Sequence, residues 1–316
     1  MDEYTKKTKE WLDKKFKSTD EKGVYKSHAP IYGFANDSLS LGLYKNNYTI
    51  LKEIEKLSSE YKIDTFLDAG CAEGFTAHLV KNIFGFKVSV TDLSSEAIKR
   101  AREVYGIYGF EGDIQSLDNI ADSSFDLVLC SETIEHVPFY EKAFLELMRI
   151  TKKVLIITVP AAKNMDEKKN YIVPQGPHTH LNIFTRKELE EFTDGGRVRG
   201  ISLVLIDKLE SIFMKKNPID SSKKPKYLVV IYKIIRFLVF PIRIFYGISM
   251  AKIFIKIDYL LCSIFPNFSV NTYMVVFKKV PPDLKNYPQK SKNILDYMFL
   301  KSKVKPYFLH EHKEKV

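Results

Sequence analysis

The sequence predicts an α/β fold built on a doubly wound, mainly parallel sheet, and three observations carry that prediction. Apolar runs short enough to be buried strands alternate with stretches of helical spacing between residues 62 and 160. Two early runs end on a carboxylate, at Asp68 and Asp92, where the ligand clefts of open parallel sheets lie. The turn Asp68-Ala-Gly-Cys-Ala-Glu-Gly74 is bare enough for backbone to approach a ligand that a Cβ would meet.

Residues 1–60 hold two helical patterns around a loop, Gly33-Phe-Ala-Asn-Asp37. The first is charged and sets Trp11, Leu12 and Phe16 on one side; the second, from Leu43 to Tyr61, places Leu51, Ile54 and Leu57 on a packing face. This helical cap either covers a sheet edge or lends Tyr32, Phe34 and Tyr44 to a lid over an acceptor.

Phe66 and Leu67 read as the first strand, and Phe75, Leu79 and Ile83 as the stripe of the helix that follows. A dinucleotide turn would read G-x-G-x-x-G and hold pyrophosphate at the helix N-terminus. This turn instead puts Glu73 where a phosphate would be repelled, and Asp68 suits a ligand with a positive group. The pattern D-x-G-C-x-x-G resembles motif I of the class I S-adenosylmethionine-dependent methyltransferases, whose cofactor, S-adenosyl-L-methionine, carries a sulfonium and an ammonium.

Lys87–Asp92 is the second strand; Ser94 is placed as an N-cap, Glu96 suits the first turn, and Ile98, Ala101 and Val104 form a stripe. Asp92, followed by Leu93, is positioned to accept both hydroxyls of a ribose. A third strand, Tyr108 to Gly112, leads into Asp113 and Ile114. The resemblance implies that Asp113 meets an adenine amino group with Ile114 against the ring; the alternative is an Asp113 that caps the loop through Asp122.

The fourth strand, Ser124–Cys130, is apolar enough for a sheet centre and ends in Ser131-Glu-Thr-Ile-Glu-His-Val137. A helix from Tyr140 to Ile150 and a fifth strand, Lys153–Val159, follow. Ser131–Val137 resembles the E-x-x-E-H-[VI] signature shared by the ubiquinone-biosynthesis O-methyltransferases and the broad type 11 group. Motif I, Asp92, Asp113 and this signature stand in family order. The resemblance implies a Rossmann-like, seven-stranded sheet with an antiparallel last strand. It also implies cofactor contacts from Asp68, Gly70, Cys71, Gly74, Asp92, Leu93, Asp113, Ile114 and Ser131. One departure matters: Ser131-Glu-Thr-Ile stands where enzymes acting on amino groups of nucleobases or glutamine carry Asn/Asp-Pro-Pro-aromatic.

The long loop 161–184 contains Gly176-Pro-His178-Thr-His180, and Thr185 with Glu188 reads as a capping box. A sixth strand is expected over Ile201–Ile206 and the last over Thr272–Lys279. The expected organisation is a cap at 1–60, a methyltransferase domain at 61–211 and 269–280, a basic helical insertion at 212–268 and a basic tail at 281–316.

Charge divides along the same line. Residues 212–316 hold 20 Lys and Arg against 6 Asp and Glu, whereas residues 1–211 hold 29 against 33. Within the insertion, Lys226, Lys233, Arg236 and Arg243 fall on one side of a helix whose other side is apolar. Charges and Pro241 interrupt every run before the roughly 20 residues a bilayer span needs. The pattern is that of a helix lying on an anionic membrane surface through residues 223–264. Packing against the domain or a second subunit is the alternative, and nucleic acid is disfavoured because a basic surface alone says little. Lys290, Lys292, Lys301, Lys303 and Lys305 of the tail extend the positive face. Three distant cysteines and a start without an apolar h-region point to a reduced, cytosolic compartment with peripheral membrane contact.

Methyl transfer from a sulfonium asks the protein for alignment and exclusion of water, and a hydroxyl acceptor also needs a base. His136 and His180 are the candidates, with His178 third. Alternatively, His136 only orders its loop and His180 only positions substrate. No metal site is readable from spacing, although some quinone O-methyltransferases bind a divalent ion around this loop. The expected activity is O-methylation of a small-molecule or lipid-linked acceptor. Two competing readings are an RNA-directed methyltransferase or adaptor, and a non-catalytic cofactor-binding module.

Overall fold

The computed structural model describes residues 1–19, 25, 33–34, 38–192, 196–204, 240–266, 268–283, 287 and 293–299. Seven strands form one sheet: β1 (Thr65–Ala69), β2 (Lys87–Asp92), β3 (Gly109–Glu111), β4 (Phe125–Ser131), β5 (Thr151–Pro160), β6 (Arg197–Leu203) and β7 (Val270–Lys278). Their order is β3-β2-β1-β4-β5-β7-β6. β1 pairs in parallel with both β2 and β4, and the strand order reverses at that point. β7 runs antiparallel between β5 and β6, so it alone opposes the other strands. This is the doubly wound, Rossmann-like sheet the sequence predicts.

The central strands are apolar at successive positions because both faces of the sheet are covered. Phe66, Leu127, Leu129, Val154 and Ile156 point to one side, where they meet α2 (Ser38–Glu60) and α3 (Phe75–Phe84). Their neighbours Leu67, Val128, Cys130, Leu155 and Ile157 point to the other, against α5 (Tyr140–Ile150) and α7 (Arg186–Phe192). The period of two thus becomes two cores. Truncating a fully buried leucine such as Leu129 to alanine should cost about 2–5 kcal/mol.

Local signals set the helix ends. Ser94 Oγ accepts the Ala97 N–H at 3.2 Å and opens α4 (Ser95–Tyr105). Thr185 and Glu188 form the reciprocal box: Thr185 N donates to Glu188 Oε2 at 3.0 Å, and Glu188 N to Thr185 Oγ1 at 3.3 Å. α1 (Glu3–Lys17) is capped by Asp2 and buries Thr5, Thr8, Leu12 and Phe16. A short helix, α6 (Met165–Lys169), lies in the loop after β5.

The long helix α8 (Phe240–Ile264) occupies the later part of the expected insertion. Ala251 and Ile255 enter the core beside α2 and β6, while Ile253, Ile257, Leu260 and Ile264 on the opposite side are exposed. Asp258 accepts the backbone N–H of Ser202 at 3.2 Å and of Leu203 at 2.9 Å, and its carboxylate faces the buried Lys45 ammonium at 3.8 Å. α8 is therefore part of the sheet's packing. Lys226, Lys233 and Arg236, and the tail lysines 290, 292, 301, 303 and 305, lie outside the described residues. A last short helix, α9 (Ile294–Met298), packs on α2 through Ile294, Leu295 and Met298. β6 lies about four residues earlier than expected, at Arg197–Leu203, because its apolar alternation begins at Val198.

Candidate functional site

A cavity of about 690 Å³ opens at the carboxyl ends of β1, β2 and β4, beside the reversal of strand order. Its size is that of a small-molecule site. β1 delivers Asp68, β2 delivers Asp92, the segment after β3 delivers Asp113 and Ile114, and β4 delivers Ser131.

The turn after β1 is shaped by contact. Gly70 has φ +81°, and a Cβ there would stand 2.2 Å from Thr133 Oγ1. Ala72 also occupies positive φ, at 48°, which costs a non-glycine residue about 1–2 kcal/mol. Its N–H is turned to Asp92 Oδ2 at 2.9 Å, while Asp92 Oδ1 accepts from Ser94 N at 2.9 Å. Those bonds fix the Asp92 carboxylate at the cavity wall. Gly74 does not line the cavity: it precedes α3 with its Cα packed toward Ala101 of α4.

Burial dominates the electrostatics. It pushes the Asp68 carboxyl up to about 7 and the Asp92 carboxyl up to about 6, the backbone N–H groups around each only partly opposing it. Burial likewise holds the Cys71 thiol well above its ordinary range. Two desolvated carboxylates at neighbouring strand tips favour a ligand that brings positive charge or hydrogen-bond donors. Lys15 of α1 lines the same region, and burial lowers its ammonium despite the pull of Glu73 and Asp92.

Glu73 corrects the sequence reading. It is fully buried and pairs with Arg100 Nη1 at 2.8 Å, so it does not face the cavity. Arg100 in turn stacks on Tyr25 and donates to Ser18 O at 3.1 Å, tying α4 to the end of α1. Asp113 does face the cavity, but Oδ1 also accepts Gln115 N at 2.9 Å and Nε2 at 3.1 Å, which closes the local turn. Ser131 Oγ is paired with Thr158 Oγ1 at 2.8 Å.

The far end of the cavity gathers the histidines. His136 ends the 3-10 turn Ile134–His136, and His178 and His180 come from the loop after β5. The His136 and His178 rings stack with centroids 3.9 Å apart, and His180 meets His136 edge-on at 4.8 Å. The loop is held to the turn by Leu181 N and Asn182 N, both donating to Glu135 O. His178 has φ +53°, a second strained residue at this wall.

His136 Nδ1 lies 2.9 Å from Thr179 O. A carbonyl only accepts, so Nδ1 carries the proton and Nε2 carries the lone pair. Burial lowers the basicity of His180, keeping its imidazole neutral near pH 7. Beneath them lie two buried carboxyls: burial pushes Glu132 up to about 7 and Glu135 well above the ordinary range. Among the described residues neither oxygen of Glu135 has a hydrogen-bond partner, and Oε1 lies 3.9 Å from His136 Nε2. Glu135, His136 and His180 each place a ligand atom within 4.8 Å of the others, a donor set that fits a divalent cation and that sequence spacing did not reveal.

Phe34 and Tyr44 do not form a lid. They pack with Phe75 and Phe299 in the core, and Tyr32 lies outside the described residues. The cavity is covered instead by α1, through Tyr4, Thr8, Leu12 and Phe16, and by Asn46 and Asn47 of α2. A stripe of threonines buried on a charged helix was the available signal for α1, since nothing apolar explains Thr5 and Thr8.

A protein-family profile described as a methyltransferase domain matches residues 67–157. Among curated proteins, the ubiquinone biosynthesis O-methyltransferase of Idiomarina loihiensis is 25% identical over 210 residues, 58% of this chain and 84% of that one. Norajmaline N-methyltransferase of Rauvolfia serpentina is 32% identical over 126 residues, 34% of this chain and 43% of that one. Among solved structures, a SAM-dependent methyltransferase from Archaeoglobus fulgidus aligns with a TM-score of 0.43 at 18% identity, over 76% of this chain and 94% of that one.

Proposed function

We propose that the chain acts as a class I S-adenosylmethionine-dependent methyltransferase that methylates an oxygen of a small or lipid-linked acceptor. The observation that carries the proposal is a single cavity with desolvated aspartates at one end and a stacked histidine cluster at the other. S-adenosylmethionine fits the first end, because it brings positive charge and ribose hydroxyls to carboxylates whose ionised form burial disfavours. When bound, it supplies an electrophilic methyl group on a sulfonium.

In this reading Asp92 accepts the ribose hydroxyls, and Leu93 and Ile114 flank the adenine with Asp113 at its edge. Asp68, the Gly70–Cys71 backbone and Ser131 border the cationic end. Gly74 acts indirectly by letting α3 approach α4. Cover by α1 excludes water from the site. His136 offers the lone pair of Nε2 to the acceptor hydroxyl and takes its proton, its ring held by the bond from Nδ1 to Thr179 O. His180, neutral and edge-on, orients the acceptor. The unpartnered Glu135 carboxylate supports a second reading of the same corner, in which Glu135, His136 and His180 hold a divalent cation that draws an acceptor oxygen into place.

The membrane-facing part of the proposal rests on α8 and on charge. Ile253, Ile257, Leu260 and Ile264 recur at helical spacing on its exposed side, with Lys256 exposed beside them. No helix among the described residues is long and apolar enough to cross a membrane. The excess of basic residues after position 212 suits anionic headgroups, at ~1 kcal/mol for each one near the surface.

The test is transfer of labelled methyl from the cofactor into fractionated cell extract. Label should appear in a neutral lipid or small-molecule fraction as a base-stable ether, and His136→Gln should lower it about 100-fold. Label in RNA, or in no fraction while the cofactor still binds, would overturn the proposal.

A further inference from the structure

We propose that α1 is a positioning element for His136: it holds the imidazole in one tautomer and one orientation from outside the loop that carries it. The inference rests on the reading of His136 as the group that faces the acceptor. At about 100° per residue, Tyr4, Thr8 and Trp11 fall on one strip of α1. All three are spent on the histidine loop. Trp11 stacks on His178 with centroids 5.3 Å apart and planes 18° from parallel, and His178 stacks on His136 at 3.9 Å and 21°. Thr8 Oγ1 accepts the His178 N–H at 3.3 Å. Thr179 N donates to the Tyr4 hydroxyl at 3.1 Å, and that hydroxyl lies 3.3 Å from Thr179 O, the same carbonyl that takes the His136 Nδ1 proton.

The His136 ring is thus fixed in two ways that both lead back to α1. One is a stack in which His178, backed by Trp11, lies against its face. The other is the carbonyl that selects its tautomer, whose peptide is gripped by Tyr4. The loop's own bonds from Leu181 N and Asn182 N to Glu135 O fix its backbone, and Thr179 O and the edge-on His180 ring bear on the imidazole, so α1 adds to a hold that the loop begins. A strained His178 makes sense on the same terms: positive φ turns its ring back between Trp11 and His136. The neighbouring strip of α1 serves the other end of the cavity, where Asp13 Oδ1 accepts from Ser94 Oγ at 2.6 Å and Lys9 Nζ donates to Leu93 O at 3.3 Å. Changes at Trp11 or Tyr4 should therefore spare the cofactor end.

The experiment reads the tautomer directly. Full-length protein with ¹⁵N-labelled histidine is examined by ring-nitrogen NMR in the presence of chelator, at a pH where the imidazoles are neutral, with His136→Gln to assign the signals. Wild type and Trp11→Phe should show His136 with at least a tenfold preference for Nδ1–H. Trp11→Ala and Tyr4→Phe should each reduce that preference to threefold or less, with the cofactor Kd changed by less than about twofold. Methyl transfer into the labelled extract fraction should fall about tenfold in Trp11→Ala and return in Trp11→Phe. If both Trp11→Ala and Tyr4→Phe keep the wild-type tautomer preference, the loop alone positions His136 and the proposal fails. Should Trp11→Ala not fold, Tyr4→Phe decides, since it removes one oxygen and keeps the ring. The tautomer readout needs no acceptor, so an extract that takes no label would count against oxygen transfer and leave the positioning result standing.

Discussion

Replacing Asp92 by asparagine separates binding from stability in a way few other changes in this chain would. In the cofactor-free protein the Asp92 carboxyl is pushed from its ordinary value near 3.8 to about 6, chiefly by burial. At pH 7.5 the folded state therefore carries a penalty of about 3 kcal/mol for keeping the group ionised, from the roughly 1.4 kcal/mol that each pKa unit represents. Asparagine removes that penalty and keeps the oxygen that accepts from Ser94 N, but it places an amide donor against the Ala72 N–H, at a cost of about 1–3 kcal/mol. The two nearly cancel, so the melting temperature should move by no more than a few degrees. Binding should behave otherwise. One of two charge-assisted acceptors for the ribose hydroxyls is lost and the other is weakened, at about 1.5–3 kcal/mol for the first alone. The Kd for the cofactor and for its demethylated product should rise about 100-fold. Calorimetric titration paired with thermal unfolding checks both. Wild-type affinity in the variant would refute the ribose assignment; lost affinity with a fall of more than about 10 °C would show a merely structural aspartate.

The same carboxyls set the pH response. Asp92 at about 6, and Asp68 and Glu132 at about 7, all lie above their unfolded values, so the stability tied to their protons is complete below about pH 4 and is lost as pH rises through about 6–7. Glu146, held below the ordinary range by Arg149, works in the opposite sense and loses its contribution only in acid. Cofactor-free protein should thus melt highest near about pH 5, and saturating cofactor should flatten the decline toward pH 8. Gly70→Ala should cost about 2–4 kcal/mol and abolish cofactor binding, because the new methyl meets Thr133 at a backbone angle alanine resists; denaturant unfolding and titration measure the two. Asp258→Ala should cost about 3–5 kcal/mol in denaturant unfolding by removing the carboxylate that faces the buried Lys45 and accepts two backbone N–H groups of β6. Ile257→Ser with Leu260→Ser should leave methyl transfer to a soluble acceptor intact and reduce flotation with anionic vesicles at least tenfold. Unchanged flotation, or a mass that halves on substitution, would assign this side of α8 to something other than lipid.

What was legible in the sequence was whatever local chemistry decides. Strands β1, β4 and β5 announced themselves because both faces are buried and apolar residues run on without a gap. Asp92 could be placed at the cavity because its position at a strand end is set locally, and the Thr185–Glu188 box because three residues of spacing determine it. Glu73 was misread because its partner, Arg100, lies 27 positions away and no spacing links a turn to the middle of the next helix but one. Asp258 and Lys45 were illegible for the same reason: an ion pair across more than two hundred residues has no signature at either end. Tyr44 looked like a lid because an aromatic before the first strand is equally suited to a core, and only the neighbours Phe34, Phe75 and Phe299 decide.

The distribution of unfavourable features argues for the cavity independently of any resemblance. Asp68, Asp92, Glu132 and Glu135 are buried with raised pKa, and each borders the cavity. Among the described residues, three of the five non-glycine residues at positive φ, namely Ala72, Glu132 and His178, border it too. Each such feature costs folding free energy of order 1–3 kcal/mol and would drift toward a cheaper arrangement if only stability were at stake. Buried charges elsewhere among the described residues are paired: Glu73 with Arg100 and Asp258 with Lys45. The core carboxylates Glu73 and Asp258 are each matched to a cation, whereas Asp92 at the cavity is held by two backbone N–H groups, an arrangement that leaves it able to take a ligand's hydroxyls or positive charge.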